Sequence, residues 1–375
     1  DLIAQQYPGI AISLSSDVDP AFREYERTVA TTFDAYIKPV VDGYLDRLEA
    51  NLRKAGVPAP LQVMQSRGGA AGAAVVRRRP VRMFLSGPAA GVIGGLSAGE
   101  TVGSSELITV DIGGTTSDIA LIQGGSPILR AEGLIDGYPI RVPMVDVNPV
   151  GAGGGSIAWI DEAGGLRVGP QSAGSEPGPA CYAQGGVDAT VTDASVVLGY
   201  IDPNNFAGGT MTLDPDASRH VIETRIAGPL GLTLEEAALG IHRVVNAQMA
   251  EGIRLVSIQK GFDPRDFTLV GLGGAGPLHA AALAEELGIT RILVPRYPGV
   301  LSAAGLLAAP VEHEMSASFT RSLDGLDIAD VQAVLDELDA RARDLMREDG
   351  VAPEAIHPHH AADVCFIGQS YHLEV

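Results

Sequence analysis

Cysteine is scarce in this chain, whose 375 residues include only Cys181 and Cys365, without C-x-x-C spacing. A disulfide framework or a zinc ribbon is therefore not expected, and a reducing cytoplasm is the compartment that fits. Cys181 has no base near it in sequence and is interpreted as structural. A basic N-terminal region is also lacking, because the chain opens Asp-Leu-Ile-Ala-Gln-Gln, and this argues against a secretory signal peptide.

Positively charged residues are also few relative to acidic ones. There are 26 Lys and Arg residues against 46 Asp and Glu, which gives a formal net charge of −20. An acidic surface repels phosphate backbones, so a nucleic-acid partner is not expected. A long uncharged stretch, residues 83–99, contains five glycines and a proline. It predicts a small-residue helix inside a folded core and not a membrane span.

Several familiar catalytic signatures are missing as well. No Walker A run, no G-x-S-x-G and no H-E-x-x-H occurs. His313 and the His-rich run 357–360 lack the spacing of metal ligands and are interpreted as surface residues. His279 follows a predicted helix start and is interpreted as a hydrogen-bond partner there. Arg67 and the run 77–79 have no explanation in the sequence.

Hydrophobic residues make up 46% of the chain and charged residues 19%, as in a globular protein of two or three domains. The pattern predicts a strand at 10–14, followed by a long helix that begins at Asp19-Pro20, is interrupted at Pro39 and ends at Gly56. The other predicted helices begin at Ser86, Thr233 (a capping box with Glu236), Pro277, Leu301 and Val331. The other predicted strands cover 61–64, 107–111, 118–122, 267–270, 292–294 and 371–375.

The strongest chemical signal is the run from Leu107 to Ile122, where two apolar strands flank a polar turn with an acid on each side. The turn residues are Gly113, Gly114, Thr115, Thr116 and Ser117. Successive amides and hydroxyls of this kind donate hydrogen bonds to phosphate oxygens. We interpret Asp111 and Asp118 as catalytic, with Asp111 holding a magnesium ion through water or orienting an attacking water. The alternative is a plain hairpin, but a hairpin needs only two turn residues.

A second glycine-rich turn lies between a predicted strand and a predicted helix, at residues 271–280. Its candidate nucleotide-binding residues are Gly273, Gly274, Gly276 and Pro277, because a helix N-terminus attracts anions and glycine permits close approach. The run also matches G-x-G-x-x-G, and Arg296 beyond the next strand would suit NADP. The acid that binds the ribose in such proteins is missing, however.

Two loops supply weaker candidates for substrate binding. The amides of Gly153, Gly154 and Gly155, within 151–156, could form an anion-binding nest, or the loop could simply be flexible. Asp193 lies in a Gly- and Pro-rich region and is a candidate for substrate contact. Its alternative role is a carboxylate that caps a turn.

Seven runs together resemble the hydantoinase A / 5-oxoprolinase / acetone carboxylase family. They are Arg23–Thr28, Ser86–Gly91, Val150–Ala158, Gly174–Tyr182, Thr190–Ala194, Lys260–Asp266 and Gly273–His279. The resemblance implies an α/β fold of the actin-like ATPase (ribonuclease H-like) type. Residues 111–118 then correspond to the second phosphate motif, 273–280 to the adenosine motif, and the helices at 86–95 and 301–308 to the two connecting helices.

The resemblance also implies a function, which is ATP- and Mg²⁺-dependent hydrolysis of a cyclic amide such as a hydantoin or 5-oxoproline. In this reaction the carbonyl oxygen is phosphorylated, and a hydantoinase B-like subunit or domain normally completes it. The alternatives are the ATPase subunit of an acetone- or acetophenone-type ketone carboxylase, and a nucleotide-sensing module without catalysis. The exact substrate and self-association into a homo-oligomer are left open.

One element that the resemblance implies is absent from these residues. The first phosphate hairpin of the family, a second Asp-x-Gly-Gly-Thr run, does not occur. We therefore expect a fragment of a longer protein, holding half of a phosphate clamp and silent in catalysis by itself. The predicted domains are 1–82 at the boundary of the N-terminal lobe, 83–310 as the nucleotide-binding core, and 311–375 as the start of a C-terminal α/β domain.

Overall fold

The computed structural model describes residues 2–369 and 372–375. The helices are α1 (Leu2–Gln6), α2 (Ser15–Val18), α3 (Glu24–Lys54), α4 (Ala73–Val76), α5 (Ser86–Thr101), α6 (Val191–Val197), α7 (Pro215–Ile222), α8 (Gly228–Leu230), α9 (Leu234–Val256), α10 (Gly276–Leu287), α11 (Leu301–Ala308) and α12 (Ile328–Glu348). The strands are β1 (Gln62–Met64), β2 (Ala70–Gly72), β3 (Leu107–Ile112), β4 (Ser117–Gln123), β5 (Ser126–Pro127), β6 (Leu129–Arg130), β7 (Gly133–Ile135), β8 (Tyr138–Ile140), β9 (Met144–Val145), β10 (Val147–Val150), β11 (Ser156–Ile160), β12 (Leu166–Ser172), β13 (Thr268–Leu272), β14 (Arg291–Leu293), β15 (Asp363–Val364) and β16 (Leu373–Glu374).

The chain forms two compact units. Unit 1 holds the residues up to 85, the segment 131–144 and the residues from 310 onward, and unit 2 holds 86–130 and 145–309. The predicted domain boundaries at 82/83 and 310/311 stay a prediction. The strand expected at 371–375 is present as β16, while Tyr371 lies outside the described residues. Within the described part of the chain, no helix is both long and apolar enough to cross a membrane.

Unit 1 is built on α3, and two predictions about this helix were wrong. It begins at Glu24 and not at Asp19-Pro20, and it runs without a break through Pro39. A proline inside a helix costs about 3 kcal/mol through its missing N–H and its ring clash. Packing of the buried face offsets that cost, since Val29 and Ala30 join the core of unit 1. The predicted strand at 10–14 is also absent, because this segment is extended but unpaired.

Ion pairs in unit 1 account for Arg67 and Arg77, two of the arginines that the sequence left unexplained. Arg77 reaches three carboxylates of α3, those of Asp42, Asp46 and Glu49. Arg67 pairs with Glu312 at 2.9 Å and with Glu314 at 3.6 Å.

His313 was predicted at the surface, but its side chain is only 3% exposed and bonds Asp349 Oδ2 at 2.7 Å. The same carboxylate accepts the Gly72 amide of β2. The prediction failed because Asp349 is distant in sequence.

Unit 2 contains a mixed sheet of six strands with the order β10-β4-β3-β13-β14, and β5 pairs with β4. The predicted hairpin is confirmed: β3 and β4 pair antiparallel, with Asp111 directly opposite Asp118. Strand β13 runs parallel to β3 and to β14. The connection between β13 and β14 contains α10, so these elements form a β-α-β unit.

Helices cover both faces of this sheet, which explains why its central strands are apolar on both sides. Ile108 and Val110 of β3 face the cluster formed with α9 and α10. Leu107, the first residue of β3, faces α5 together with Val92 and Leu301. Helix α9 begins with the predicted capping box, in which Thr233 and Glu236 bond each other's backbone amides.

The two small-residue helices α5 and α11 cross in backbone contact. A Cβ atom on Gly305 would overlap the carbonyl oxygen of Ala90 and lie 2.7 Å from the amide nitrogen of Gly94. A Cβ atom on Gly94 would lie 2.5 Å from the carbonyl oxygen of Leu301. The glycines are therefore needed for the crossing itself. This arrangement, with the hairpin and the β-α-β unit beside it, confirms the predicted actin-like α/β fold.

Candidate functional site

The two predicted nucleotide motifs lie side by side at one edge of the sheet in unit 2. The Ala275 amide donates to the carbonyl oxygen of Ile112 at 3.1 Å. Gly273 has φ +80°, and a Cβ atom on it would overlap Asp111 Oδ1 and lie 2.5 Å from the Ile112 oxygen. Only glycine fits this position. The structure thus joins the β3–β4 turn to the start of α10, two segments about 160 residues apart in the printed sequence.

The turn between β3 and β4 presents its backbone to solvent. Residues 113–116 are all exposed, and the Gly113 amide closes the turn on the Thr116 carbonyl at 3.0 Å. Among the described residues, the amides of Gly114 and Thr115 donate to no protein acceptor. The Thr115 hydroxyl lies 3.3 Å from Ser172 Oγ. The turn therefore offers unpaired donors of the kind that bind phosphate oxygens.

The glycine loop 151–156 supports this turn from behind. The Gly154 amide donates to the Gly113 carbonyl at 3.0 Å, and the Gly155 amide donates to the Gly114 carbonyl at 2.6 Å. The Gly153 amide donates to Ser156 Oγ at 2.9 Å. All three amides are occupied, so they do not form the free anion nest that the sequence suggested. Residues 152–156 are also buried, which favours an ordered loop over the flexible alternative.

Two carboxylates flank the turn on one face of the hairpin. Burial raises the pKa of Asp111, while the hydrogen bond from Ser302 Oγ at 3.3 Å acts in the opposite direction. Burial, together with the nearby charge of Asp111, raises the pKa of Asp118 to about 6. Two half-buried acids in direct register repel each other when both are ionised. A bound cation would relieve that repulsion.

These residues fit a magnesium nucleotide better than a cation held by protein alone. Within the described ranges, no group of three or more His, Cys, Asp or Glu side chains is placed to hold a metal ion. Mg²⁺ in nucleotide sites keeps several waters and uses one or two carboxylates together with phosphate oxygens. Asp111 and Asp118, beside unpaired amides, supply that set.

Asp193 has a structural environment. It is fully buried, and its carboxylate accepts hydrogen bonds from the amides of Ala180, Cys181 and Thr190 and from the hydroxyls of Thr190 and Ser218. Five protein donors leave it no free direction toward a ligand, so the geometry favours the turn-capping alternative. Burial beside this carboxylate raises the pKa of the Cys181 thiol, in keeping with a structural cysteine.

Sequence reasoning did not single out several residues of the site. Ser302 of α11 donates to Asp111 Oδ2, and Gly91 of α5 brings its backbone so close that a Cβ atom would lie 3.1 Å from the same oxygen. Both belong to helices predicted only as connectors. In the sequence they are only one serine and one glycine within helices of small and apolar residues. Their contact with Asp111 becomes visible only in the folded structure.

A buried histidine pair lies behind the start of α10. The rings of His242 and His279 stack with centroids 4.8 Å apart. His242 Nε2 bonds Ser195 Oγ at 2.9 Å, and His279 Nδ1 bonds Asn246 Oδ1 at 2.7 Å, which agrees with the predicted hydrogen-bonding role of His279. Burial lowers the pKa of His242 to about 4, and burial with the neighbouring ring lowers that of His279 to about 3. Both rings are therefore neutral near pH 7.

Comparisons with known proteins indicate the family to which the chain is related. A family model described as hydantoinase/oxoprolinase matches residues 27–315. The alpha subunit of caprolactamase from Pseudomonas jessenii is 38% identical over 377 residues, covering 100% of this chain and 54% of that protein. The chain thus spans about half the length of this relative.

Two solved structures are similar over nearly the whole chain. The ATP-dependent caprolactamase from Pseudomonas jessenii has a TM-score of 0.82 at 36% identity, covering 100% of this chain and 55% of that one. Nucleotide-free acetone carboxylase, from work on ATP-dependent acetone carboxylation, has a TM-score of 0.77 at 28% identity and covers 96% and 52%. An NADP-binding Rossmann domain is not needed to explain the glycine-rich turn.

Proposed function

This chain belongs to the hydantoinase/oxoprolinase family, and from that premise we propose that it forms the nucleotide-binding part of an enzyme that uses ATP to open a cyclic amide. The substrate class is a hydantoin, 5-oxoproline or a related lactam. The observation that carries the proposal is the joining of the phosphate turn to the start of α10 around Asp111. Similarity to an ATP-dependent caprolactamase supports it.

In this proposal the turn binds the phosphate tail. The amides of Gly114 and Thr115 donate to phosphate oxygens, and the hydroxyls of Thr115 and Thr116 add further donors. The adenosine end lies against Gly273, Gly274 and Gly276, where α10 begins with Pro277 in its first turn. The helix N-terminus favours negative charge there.

Asp111 and Asp118 face the phosphate tail as a pair of negative groups. A magnesium ion bound with ATP would supply positive charge that neutralises the γ-phosphate. Asp111 would hold this ion through water, and Ser302 donates to Asp111 Oδ2 and so orients its carboxylate. The glycines of the 153–155 loop act on the site indirectly, by holding the carbonyls of Gly113 and Gly114 in place.

A neutral amide is a poor electrophile, so it has to be activated before water can open the ring. Its carbonyl oxygen attacks the γ-phosphorus, a new P–O bond forms, and ADP leaves. Water then adds to the activated carbon, and the C–N bond breaks to leave the amine and an acyl phosphate. A second water attacks the acyl carbon and releases phosphate, which gives the ring-opened acid. The protein contributes by positioning the reactants and stabilising charge. A hydantoinase B-like subunit or domain would provide the cyclic-amide site. A relative that is itself named as a subunit, caprolactamase subunit alpha, supports this part of the proposal.

An oxygen-18 experiment tests this reaction directly. The full-length protein, purified with any co-expressed subunit, is given ATP and a lactam labelled at its carbonyl oxygen. We expect substrate-stimulated ADP release and one labelled oxygen in the phosphate product, because the carbonyl oxygen leaves as phosphate. Ring opening with unlabelled phosphate would refute phosphorylation of the carbonyl oxygen.

A ketone carboxylase is the second candidate, favoured by the TM-score of 0.77 to acetone carboxylase. The same nucleotide site would serve it, because both reactions activate an oxygen with ATP. A requirement for bicarbonate as a substrate distinguishes ketone carboxylation from lactam hydrolysis. Turnover of acetone or acetophenone that requires bicarbonate, with no turnover of any lactam, would select the carboxylase. ATP binding without turnover of either substrate class would select a nucleotide-sensing module.

A further inference from the structure

The buried histidine pair of unit 2 is part of a polar connection behind the nucleotide site that the proposed function does not use. His242 lies in α9 and His279 in α10, and the two residues are only 3% and 0% exposed. Polar side chains buried this deeply cost stability unless hydrogen bonds satisfy them. Their contacts lead from α10 through α9 and α6 to the glycine loop 153–155, and from there to the phosphate turn.

The first contact joins α10 to α9. His279 is the fourth residue of α10, and its Nδ1 donates to Asn246 Oδ1 at 2.7 Å. An amide oxygen only accepts, so the proton of His279 is on Nδ1 and Nε2 is an acceptor. Nε2 is buried and has no hydrogen-bond partner among the residues that the structure describes. A nonpolar side chain would avoid this unpaired atom, so the bond to Asn246 is what the histidine adds at this position.

The second contact joins α9 to α6. The ring of His242 stacks on that of His279 with an angle of 16° between their planes, and its Nε2 lies 2.9 Å from Ser195 Oγ. The Ser195 hydroxyl already donates to the Val191 carbonyl at 2.9 Å, so it accepts from His242. The proton of His242 is therefore on Nε2, and each ring of the pair has one fixed orientation.

The third contact joins α6 to the phosphate turn. The amide and the hydroxyl of Thr192 both donate to the Gly154 carbonyl, at 2.7 and 2.8 Å. The Gly154 amide donates in turn to the Gly113 carbonyl. The capping box of Thr190 and Asp193 fixes the start of α6 itself. Thr192 therefore holds the loop that holds the turn.

The turn depends on this support. Outside the hairpin, and within the part of the chain that the structure describes, residues 113–115 are hydrogen-bonded only to the loop 153–155 and to Ser172. The connection thus links the turn, which would bind phosphate, to α10, which would bind adenosine. A ligand that occupies two linked sites at once binds well only when the sites are held at the matching distance. ATP is such a ligand here, whereas adenosine or tripolyphosphate alone occupies one end.

We propose that Thr192, His242 and His279 are positioning residues, which act with Ser195 and Asn246 to set the spacing between the phosphate turn and the start of α10. They do not touch the nucleotide. The inference rests on the proposed function, because it takes ATP to be bound at both ends.

One set of variants of the full-length protein separates positioning from folding. Ser195→Ala leaves the Nε2 proton of His242 buried without an acceptor, so both Tm and ATP affinity should fall. Adding His242→Leu removes the second partner as well, so Tm should recover while ATP still binds about fivefold to tenfold more weakly than to the wild type. His242→Gln keeps a donor for Ser195 and should keep the affinity. An ATP affinity that recovers together with Tm in the double variant would overturn the proposal.

NMR titrations with adenosine, magnesium tripolyphosphate and magnesium ATP locate the effect. In the variant with both Ser195→Ala and His242→Leu, only ATP should bind more weakly. Thr192→Val acts next to the turn and should weaken tripolyphosphate and ATP but not adenosine. The matched control Thr224→Val removes a similar hydroxyl bond, to the His220 carbonyl at 2.7 Å, outside the connection and should change none of the three.

The outcomes distinguish this inference from the proposed function. A wild-type protein that binds no ATP would refute the proposed function and the positioning role with it. ATP binding that the double variant and Thr192→Val both retain at the wild-type level would refute the positioning role alone. Equal weakening of adenosine, tripolyphosphate and ATP in the double variant would also refute it, because a general loss of structure would then be the cause.

Discussion

The crossing of α5 and α11 can be tested by adding a single methyl group. In Gly305→Ala the new Cβ atom would overlap the Ala90 carbonyl oxygen and lie 2.7 Å from the Gly94 nitrogen. Both obstacles are backbone atoms of a buried helix, so no side chain can rotate away. Overpacking of this kind costs about 1–3 kcal/mol, and the better helix propensity of alanine returns up to about 1 kcal/mol. We expect a net loss of roughly 2 kcal/mol in the free energy of unfolding.

Gly87 provides the matched control in the same pair of helices. It lies in the first turn of α5, and a Cβ atom on it would meet nothing within 4 Å. Gly87→Ala adds no contact with α11, and crowding of its Cβ atom by the ring of Pro88 offsets the entropy gained by replacing glycine, so stability should stay within about 1 kcal/mol of the wild-type value. Trp159, the single tryptophan, lies in β11 of unit 2, so its fluorescence reports the unfolding of that unit.

Urea unfolding of both variants, followed at Trp159, decides the matter. A loss of about 2 kcal/mol corresponds to a fall in Tm of roughly 4–8 °C for a unit of this size. Equal midpoints for Gly305→Ala and Gly87→Ala would show that the helices do not touch through their backbones. A loss in both would show instead that the helices tolerate no methyl group anywhere, and that the crossing has no special role.

Four further results are expected. Asp111→Asn should abolish ATP turnover with unchanged circular dichroism, because an amide cannot replace a carboxylate beside magnesium; unchanged turnover would remove Asp111 from the site. Turnover should fall as the pH drops through about 6, where the Asp111–Asp118 pair takes up a proton, and a profile flat down to pH 5 would contradict the raised pKa of Asp118. Ser302→Ala should move this acidic limb to higher pH, because the Asp111 carboxylate loses a donor, and Ser302→Thr should restore it. His242 and His279 have folded pKa values below the ordinary value near 6.5, so the unfolded chain binds more protons than the folded chain. Each histidine should therefore cost roughly 2 kcal/mol of stability as the pH falls from 6.5 to 5. Imidazole NMR signals of His242 and His279 that titrate near 6.5 would refute this.

The elements that sequence predicted well are those fixed by local chemistry. The capping box at Thr233 and the hairpin of β3 and β4 depend only on residues that are close in sequence. The small-residue helices were also predicted, because glycine and alanine inside a helix such as α5 indicate close packing, although a crossing of two helices follows only from the resemblance.

The predictions that failed depended on partners distant in sequence. The start of α3 and its passage through Pro39 are decided by packing against the rest of unit 1, which local propensity does not contain. The loop 153–155 was predicted to offer free amides, but those of Gly154 and Gly155 donate to the turn at 113–114, and that of Gly153 donates within the loop. Propensity describes what a segment can do, and long-range contacts decide which of its groups remain available.

Unit 1 is assembled from three chain segments that are far apart in sequence, so its contacts form one after another during translation. Gln65 bonds a carbonyl that follows it by 247 residues, and the Gly72 amide bonds a carboxylate 277 residues later. At about 5–20 residues per second, those acceptors emerge roughly 10–60 s after their donors. During that delay the Gln65 and Gly72 donors bond water, whereas the apolar cluster of unit 1 is already completed by residues of the segment 131–144. These polar contacts should therefore be among the last of unit 1 to form in the nascent chain.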